Sequence, residues 1–107
     1  DDDPWVPLEH NELFKEKCGM LVRKEVKEFA EQMEQKLQAN DHKGGWRNCT
    51  VEELYARLLD EVSELQSELN FPEQDSDAII AECADIANFA MMVADIARTR
   101  KGNRNVV

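Results

Sequence analysis

The chain has 107 residues and a formal net charge of −10. That length holds one domain, and so acidic a surface repels phosphate backbones, which argues against general nucleic-acid binding. Hydrophobic residues make up 42% of the sequence, enough for a core and too many for a disordered chain, while no apolar run approaches the roughly 20 residues of a membrane span. The opening Asp1-Asp2-Asp3-Pro4 has neither the basic start nor the apolar stretch of a signal peptide, and the absence of an initiator Met leaves upstream residues to be expected. Cys18, Cys49 and Cys83 are odd in number and lack metal-type spacing, so they read as free thiols of a reducing cytoplasm.

Gly and Pro punctuate the sequence. Pro4 and Pro7 mark an extended arm over 1–11. A first helix is predicted from about Glu12 to about Ala39, because Phe14, Cys18, Leu21, Val22, Val26, Phe29, Met33 and Leu37 recur at three- and four-residue spacing, with Gly19 as a point of weakness. Gly44 and Gly45 break the middle. A second helix begins after Thr50, which forms a capping box with Glu53; its apolar stripe is Val51, Leu54, Leu58, Val62, Leu65 and Leu69, and Pro72 ends it. A third helix, capped by Asp75 or Ser76, runs to about Arg100 with Ile79, Cys83, Ile86, Phe89, Ala90, Val93 and Ala97 as its stripe, leaving 101–107 as a polar basic tail. No stretch shows the alternation of a strand. The expected fold is therefore all-α, a bundle of three main helices. Leu59, Ile80, Met91, Met92 and Ile96 fall off the stripes, so the bundle is expected to be completed by association into a homodimer or homotetramer.

The acidic residues carry the chemistry. Glu61 and Glu64 share a helix face and flank the stripe, and Glu68 continues their ridge. Glu82 falls within the apolar stripe of the third helix, between Ile79 and Ile86, with Asp85 at its edge. An inward carboxylate without compensation costs several kcal/mol. Two adjacent helices that each aim an acidic pair inward bring four carboxylates together, which cannot all stay ionised without a cation. With no basic partner of obvious reach, hard divalent ions that favour oxygen ligands, Mg²⁺ first and Mn²⁺ as substitute, are the economical explanation. Glu-x-x-Glu pairs are common on solvated faces; it is Glu82 that lifts this cluster above that background.

Glu61-Val62-Ser63-Glu64-Leu65, followed after a loop by Glu82-Cys83-Ala84-Asp85-Ile86, resembles the signature of the MazG-like all-α nucleoside triphosphate pyrophosphohydrolases, E-E-x-x-E and then E-x-x-D. The resemblance extends over about residues 12–100. Asp60 stands where the signature has its first Glu, and Lys43-Gly44-Gly45-Trp46 within Asn40–Asn48 is similar to the small single-domain members found on mobile elements and in phages. The resemblance implies a Mg²⁺-dependent enzyme that cleaves a (d)NTP between its α- and β-phosphates, releasing pyrophosphate and clearing unwanted or excess nucleotides. Glu61, Glu64, Glu82 and Asp85 carry over as metal ligands, and Glu61 or Glu64 could instead orient the attacking water as a base.

Further candidates surround this motif. Lys43 and Trp46 read either as a phosphate-binding cation and an indole beside the base, or as a turn with a Trp packed on the bundle. Asn40 could bond a base edge. Asn88, one turn beyond Asp85, could meet sugar or base, or lie on a polar surface. Related enzymes hold polyphosphate with Lys and Arg after the second motif, which points to Lys101 and Arg104 in the cluster with Arg98 and Arg100; otherwise these are cations favoured at a helix C-terminus. His10 and His42 read as surface residues, and Met91, Met92 and Ala94 as interface packing. Two alternatives stay beside the enzyme: a non-catalytic helical oligomerisation module, and a pyrophosphohydrolase of another nucleotide such as phosphoribosyl-ATP.

Overall fold

The computed structural model describes the backbone of residues 13–15 and 21–105 and the side chains of 21–102. The N-terminal arm, Cys18 and His10 lie outside the described residues. Helix dominates: α1 spans Lys24–Ala39, α2 spans Val51–Leu69 and α3 spans Ser76–Asn105. Among the described residues no helix is long and apolar enough to cross a membrane.

The chain divides into two compact units, 1–32 and 33–107, with the boundary inside α1. In the first, Leu13–Lys15 (β1) and Leu21–Arg23 (β2) pair antiparallel, with Leu13 opposite Arg23 and Phe14 opposite Val22. This corrects the helix predicted from Glu12: helix begins at Lys24. The apolar spacing through Phe14, Cys18 and Leu21 satisfies a helical template, but a glycine in a helix interior costs about 1 kcal/mol, and the run Leu21-Val22 after it suits a short strand.

In the second unit the end of α1 leads into a single 3-10 turn, Asp41–Lys43. Asn40 terminates α1 by donating its Nδ2 to the carbonyl of Lys36 at 2.9 Å. Gly44 has φ +86°, in the left-handed region that side chains avoid. Thr50 then starts α2 through the expected capping box: its Oγ1 accepts from the Glu53 N–H at 3.0 Å, and the Glu53 carboxylate accepts from the Thr50 N–H at 2.9 Å. The Thr50 N–H, and next the Thr50 hydroxyl, hold the Glu53 carboxyl below its ordinary pKa. After the turn containing Pro72, Asp75 rather than Ser76 caps α3, its Oδ1 accepting from the N–H groups of Asp77 and Ala78. At its far end α3 continues to Asn105, so residues 101–105 are helical beyond the expected end at Arg100.

Helices α2 and α3 pack against each other as an antiparallel hairpin: Arg57 meets Phe89 near one end, and Glu64 nears Glu82 toward the turn. The inward residues of α2 are Val51, Leu54, Leu58, Glu61, Leu65 and Glu68, a strict three-four alternation. Val62 and Leu69, expected in the stripe, are exposed instead, and two glutamates occupy the seam. On α3 the most buried side chains are Ala84 (0% exposed) and Asn88 (4%), while Ala90 and Ala97 of the expected stripe face solvent. Ala84 and Asn88 are one turn apart, and Asn88 reaches across to the Met33 carbonyl of α1. Among the described residues Leu54 and Ala84 alone are buried hydrophobics.

Removing the Thr50 hydroxyl leaves the first turn of α2 one acceptor short. Thr50→Ala is expected to destabilise the fold by about 1 kcal/mol, read as a lower midpoint in urea with an unchanged slope.

Candidate functional site

The seam between α2 and α3 holds the acidic cluster. Glu61, Glu64 and Glu82 each offer a carboxylate oxygen, and these lie within 4.8 Å of one another. Glu61 and Glu82 are half-buried and Glu64 is exposed. Glu61 Oε2 and Glu82 Oε2 are covered by protein and accept no hydrogen bond. An acceptor left so costs about 1–3 kcal/mol, and more when it is charged.

Electrostatics follow from the crowding. Desolvation, and next the neighbouring Glu64, raise the Glu82 pKa to about 7. Glu61 is raised above its ordinary value by desolvation, then by Glu64 and by the charge of Asp85. Without a cation, the cluster therefore keeps a proton into the neutral range.

Asp85 stands apart from the three glutamates and pairs with Lys36 Nζ at 3.3 Å. This corrects the expectation that the acids lack a basic partner: the last turn of α1 brings Lys36 across α3, a juxtaposition that no local spacing announces.

Beside the cluster opens a cleft of about 690 Å³. Glu61 and Asp85 line one part of its wall. Asn40, Lys43, Trp46 and Asn88 line it too, so the structure gathers these candidate substrate-binding residues around one space. Trp46 is anchored: its indole Nε1–H donates to Asp95 Oδ2 at 3.0 Å, and Asp95 also faces Arg98 at 3.6 Å. The Asn40 amide nitrogen is engaged at the end of α1, leaving its oxygen to act as an acceptor. Asn88, weighed above as a surface residue, is instead a buried amide whose Nδ2 donates to the Met33 carbonyl at 3.1 Å and whose Oδ1 has no donor. Met92, expected at an interface, lines the cleft.

Lys101 is not brought to it. Lys101 is exposed on α3, 16 residues beyond Asp85 and so about 24 Å along the axis; Arg104 is helical, its side chain outside the described residues. Other cations lie nearer the acids. Lys36 lines the cleft, and Arg57 lies one turn before Glu61 with its guanidinium over the Phe89 ring, 5.4 Å from the centroid. Arg57 was legible at i−4 from Glu61; Lys36 and Asp95 carry no comparable signal.

Compared with known proteins, the chain matches no family model, no curated protein and no solved structure.

The raised carboxyl fixes the sign of a pH dependence in the metal-free protein. Unfolded, Glu82 titrates near 4.5; folded, near 7. Between these values the folded state holds more protons, so stability present below pH 4.5 is lost as pH rises toward 7 and levels off beyond it. Melts in EDTA across this range are expected to show that decline, and Glu82→Gln is expected to flatten it. An unflattened decline assigns the proton elsewhere.

Proposed function

We propose that the chain is a Mg²⁺-dependent nucleoside triphosphate pyrophosphohydrolase of MazG-like type, converting a (d)NTP to (d)NMP and pyrophosphate. The observation that carries the proposal is that Glu61 and Glu82, whose side chains meet Glu64 in the helix seam beside a cleft, each hold a covered, donor-less oxygen, Oε2. Its volume of about 690 Å³ lies in the range of small-molecule sites.

The donor set suits the ion. All its atoms are carboxylate oxygens, the ligands that Mg²⁺ and Mn²⁺ favour. The three oxygens lie within 4.8 Å of one another, close enough for one cation to draw them together. Glu61, Glu64 and Glu82 would hold the cation, with Asp85 available once Lys36 turns to a phosphate oxygen. When bound, Mg²⁺ supplies charge neutralisation on the phosphates and a more acidic water.

The protein's own groups account for the rest. Lys36, Lys43 and Arg57 line the cleft and offset the negative charge of a polyphosphate. Arg57 is held in place by Phe89, which limits the freedom it would lose on binding. Glu64, the exposed member of the triad, is the group with access to take a proton from water; Glu61 is the more enclosed ligand. Trp46, fixed by Asp95, offers an apolar wall for a base.

Association of chains is part of the same proposal. Tyr55, Leu59, Val62 and Leu69 are exposed along one face of α2, and Ile80 is exposed on α3. A second copy covering this face would give a homodimer, and two such faces a homotetramer. The stripe favours a helical oligomerisation module equally well; the acids in the seam favour the enzyme.

A nucleotide panel with Mg²⁺, scored for pyrophosphate against orthophosphate, tests the activity. Pyrophosphate is expected, with Glu82→Gln and Glu61→Gln each lowering turnover by about 100-fold or more while helical content is retained. Orthophosphate as the sole product, or full turnover in Glu82→Gln, contradicts the assignment. Sedimentation at micromolar concentration is expected to show at least twice the 12.3 kDa chain mass. A monomer contradicts the association.

A further inference from the structure

Two contacts join the end of α1 to α3. The Met33 carbonyl accepts from Asn88 Nδ2 at 3.1 Å, and Lys36 Nζ lies 3.3 Å from Asp85 Oδ2. The contacts step forward along α1 and backward along α3, but they differ in kind. Asn88 is buried and bonds to backbone, which fixes the helix itself. The ion pair joins two side chains that are 36% and 23% exposed, and a pair so accessible is weak and readily exchanged. Both of its members line the cleft. Asp85 lies one turn beyond Glu82, about 4.5 Å along α3. It nonetheless stands outside the cluster of three glutamates.

We infer that Lys36 gates Asp85: it holds this fourth carboxylate out of the cation's ligand set until a polyphosphate takes its ammonium. The inference rests on the cation and the polyphosphate proposed above. A lysine suits the part, because its charge sits at the tip of a flexible four-carbon stem and can turn from one oxygen to another. The Asn88 bond keeps α1 in place while it does so. Asp85, once released, is an uncompensated carboxylate beside the cluster, and it adds its demand for a cation to theirs. Cation and polyphosphate then bind cooperatively, each improving the site for the other.

The test begins without any nucleotide. Mn²⁺ is titrated into the metal-free full chain, and the unbound ion is counted by its electron paramagnetic resonance signal. Lys36→Gln is expected to tighten Mn²⁺ binding about tenfold, because one more charged ligand becomes available. In an Asp85→Asn background the same change is expected to alter affinity by less than about twofold, since no carboxylate remains to be released. The Mg²⁺ complex of inorganic tripolyphosphate, titrated by calorimetry, responds with the opposite sign: Lys36→Gln weakens it about fivefold, as the phosphate loses its cation. Helical signal is checked in every variant, and Lys36→Met repeats the series where Lys36→Gln fails to keep it. Equal tightening of Mn²⁺ in both backgrounds overturns the inference, because Lys36 then acts only as a nearby positive charge. Unchanged or weaker Mn²⁺ binding in Lys36→Gln overturns it too, as does a tripolyphosphate affinity that Lys36→Gln leaves unchanged. Any of these results, with saturable Mn²⁺ binding in the unaltered protein, defeats this inference alone. No Mn²⁺ binding in the unaltered protein defeats it along with the cation site of the proposed function.

Discussion

Glu61 and Glu82 face each other across a seam that helix packing would normally fill with leucines, and most of what is particular to this molecule follows from that contact. On α2 the inward positions run Val51, Leu54, Leu58, Glu61, Leu65, Glu68, so one carboxylate replaces a packing side chain in the middle of the hairpin. Opposite it, Glu82 has lost enough water for its pKa to rise to about 7. Two apolar side chains of similar volume would pack there at lower cost. The hairpin is nevertheless held in a register that brings these acids together, with Arg57 over Phe89 at one end and the Asp75 cap at the other.

The positive charge around the acids is as informative as the acids themselves. In a chain of net charge −10, Lys36, Lys43 and Arg57 line the cleft beside the cluster. Lys36 already neutralises Asp85, which leaves the three glutamates as the uncompensated group. Cation-seeking oxygens and anion-seeking side chains thus adjoin each other, an arrangement that suits a ligand travelling as a metal–phosphate complex. Asn88 and Trp46 complete the wall, both held by contacts between elements rather than by their own helix or turn.

Much of this was legible in the sequence where the signals are local. The Thr50–Glu53 box, the stop at Pro72 and the long helical runs of α2 and α3 depend on residues within a few positions of each other. The convergence of Glu61, Glu64 and Glu82 was also legible, since helical spacing puts each toward the neighbouring helix. The pairing of β1 with β2 was not, because Phe14, Cys18, Leu21 and Val22 satisfy a helical template by spacing alone, whereas Phe14 stands opposite Val22 and Lys15 opposite Leu21. Nor was the exact stripe of α2: Val62 looked like a core residue by hydropathy, yet the alternation assigns its place to Glu61. Lys36, Asp95 and the burial of Asn88 depend on contacts between residues 49 to 55 positions apart, which periodicity does not carry.

The central claim is that the glutamate seam is a divalent-cation site. Calorimetric titration of Mn²⁺ or Mg²⁺ into the metal-free protein near pH 7, repeated in two buffers of different ionisation heat, measures binding and proton release together. Saturable binding with release of a proton is predicted, because the ion displaces the proton that the cluster otherwise retains, and Glu82→Gln should weaken binding by at least about tenfold and remove the release. Heats no larger than dilution up to millimolar metal, or binding that Glu82→Gln leaves unchanged, would contradict the account.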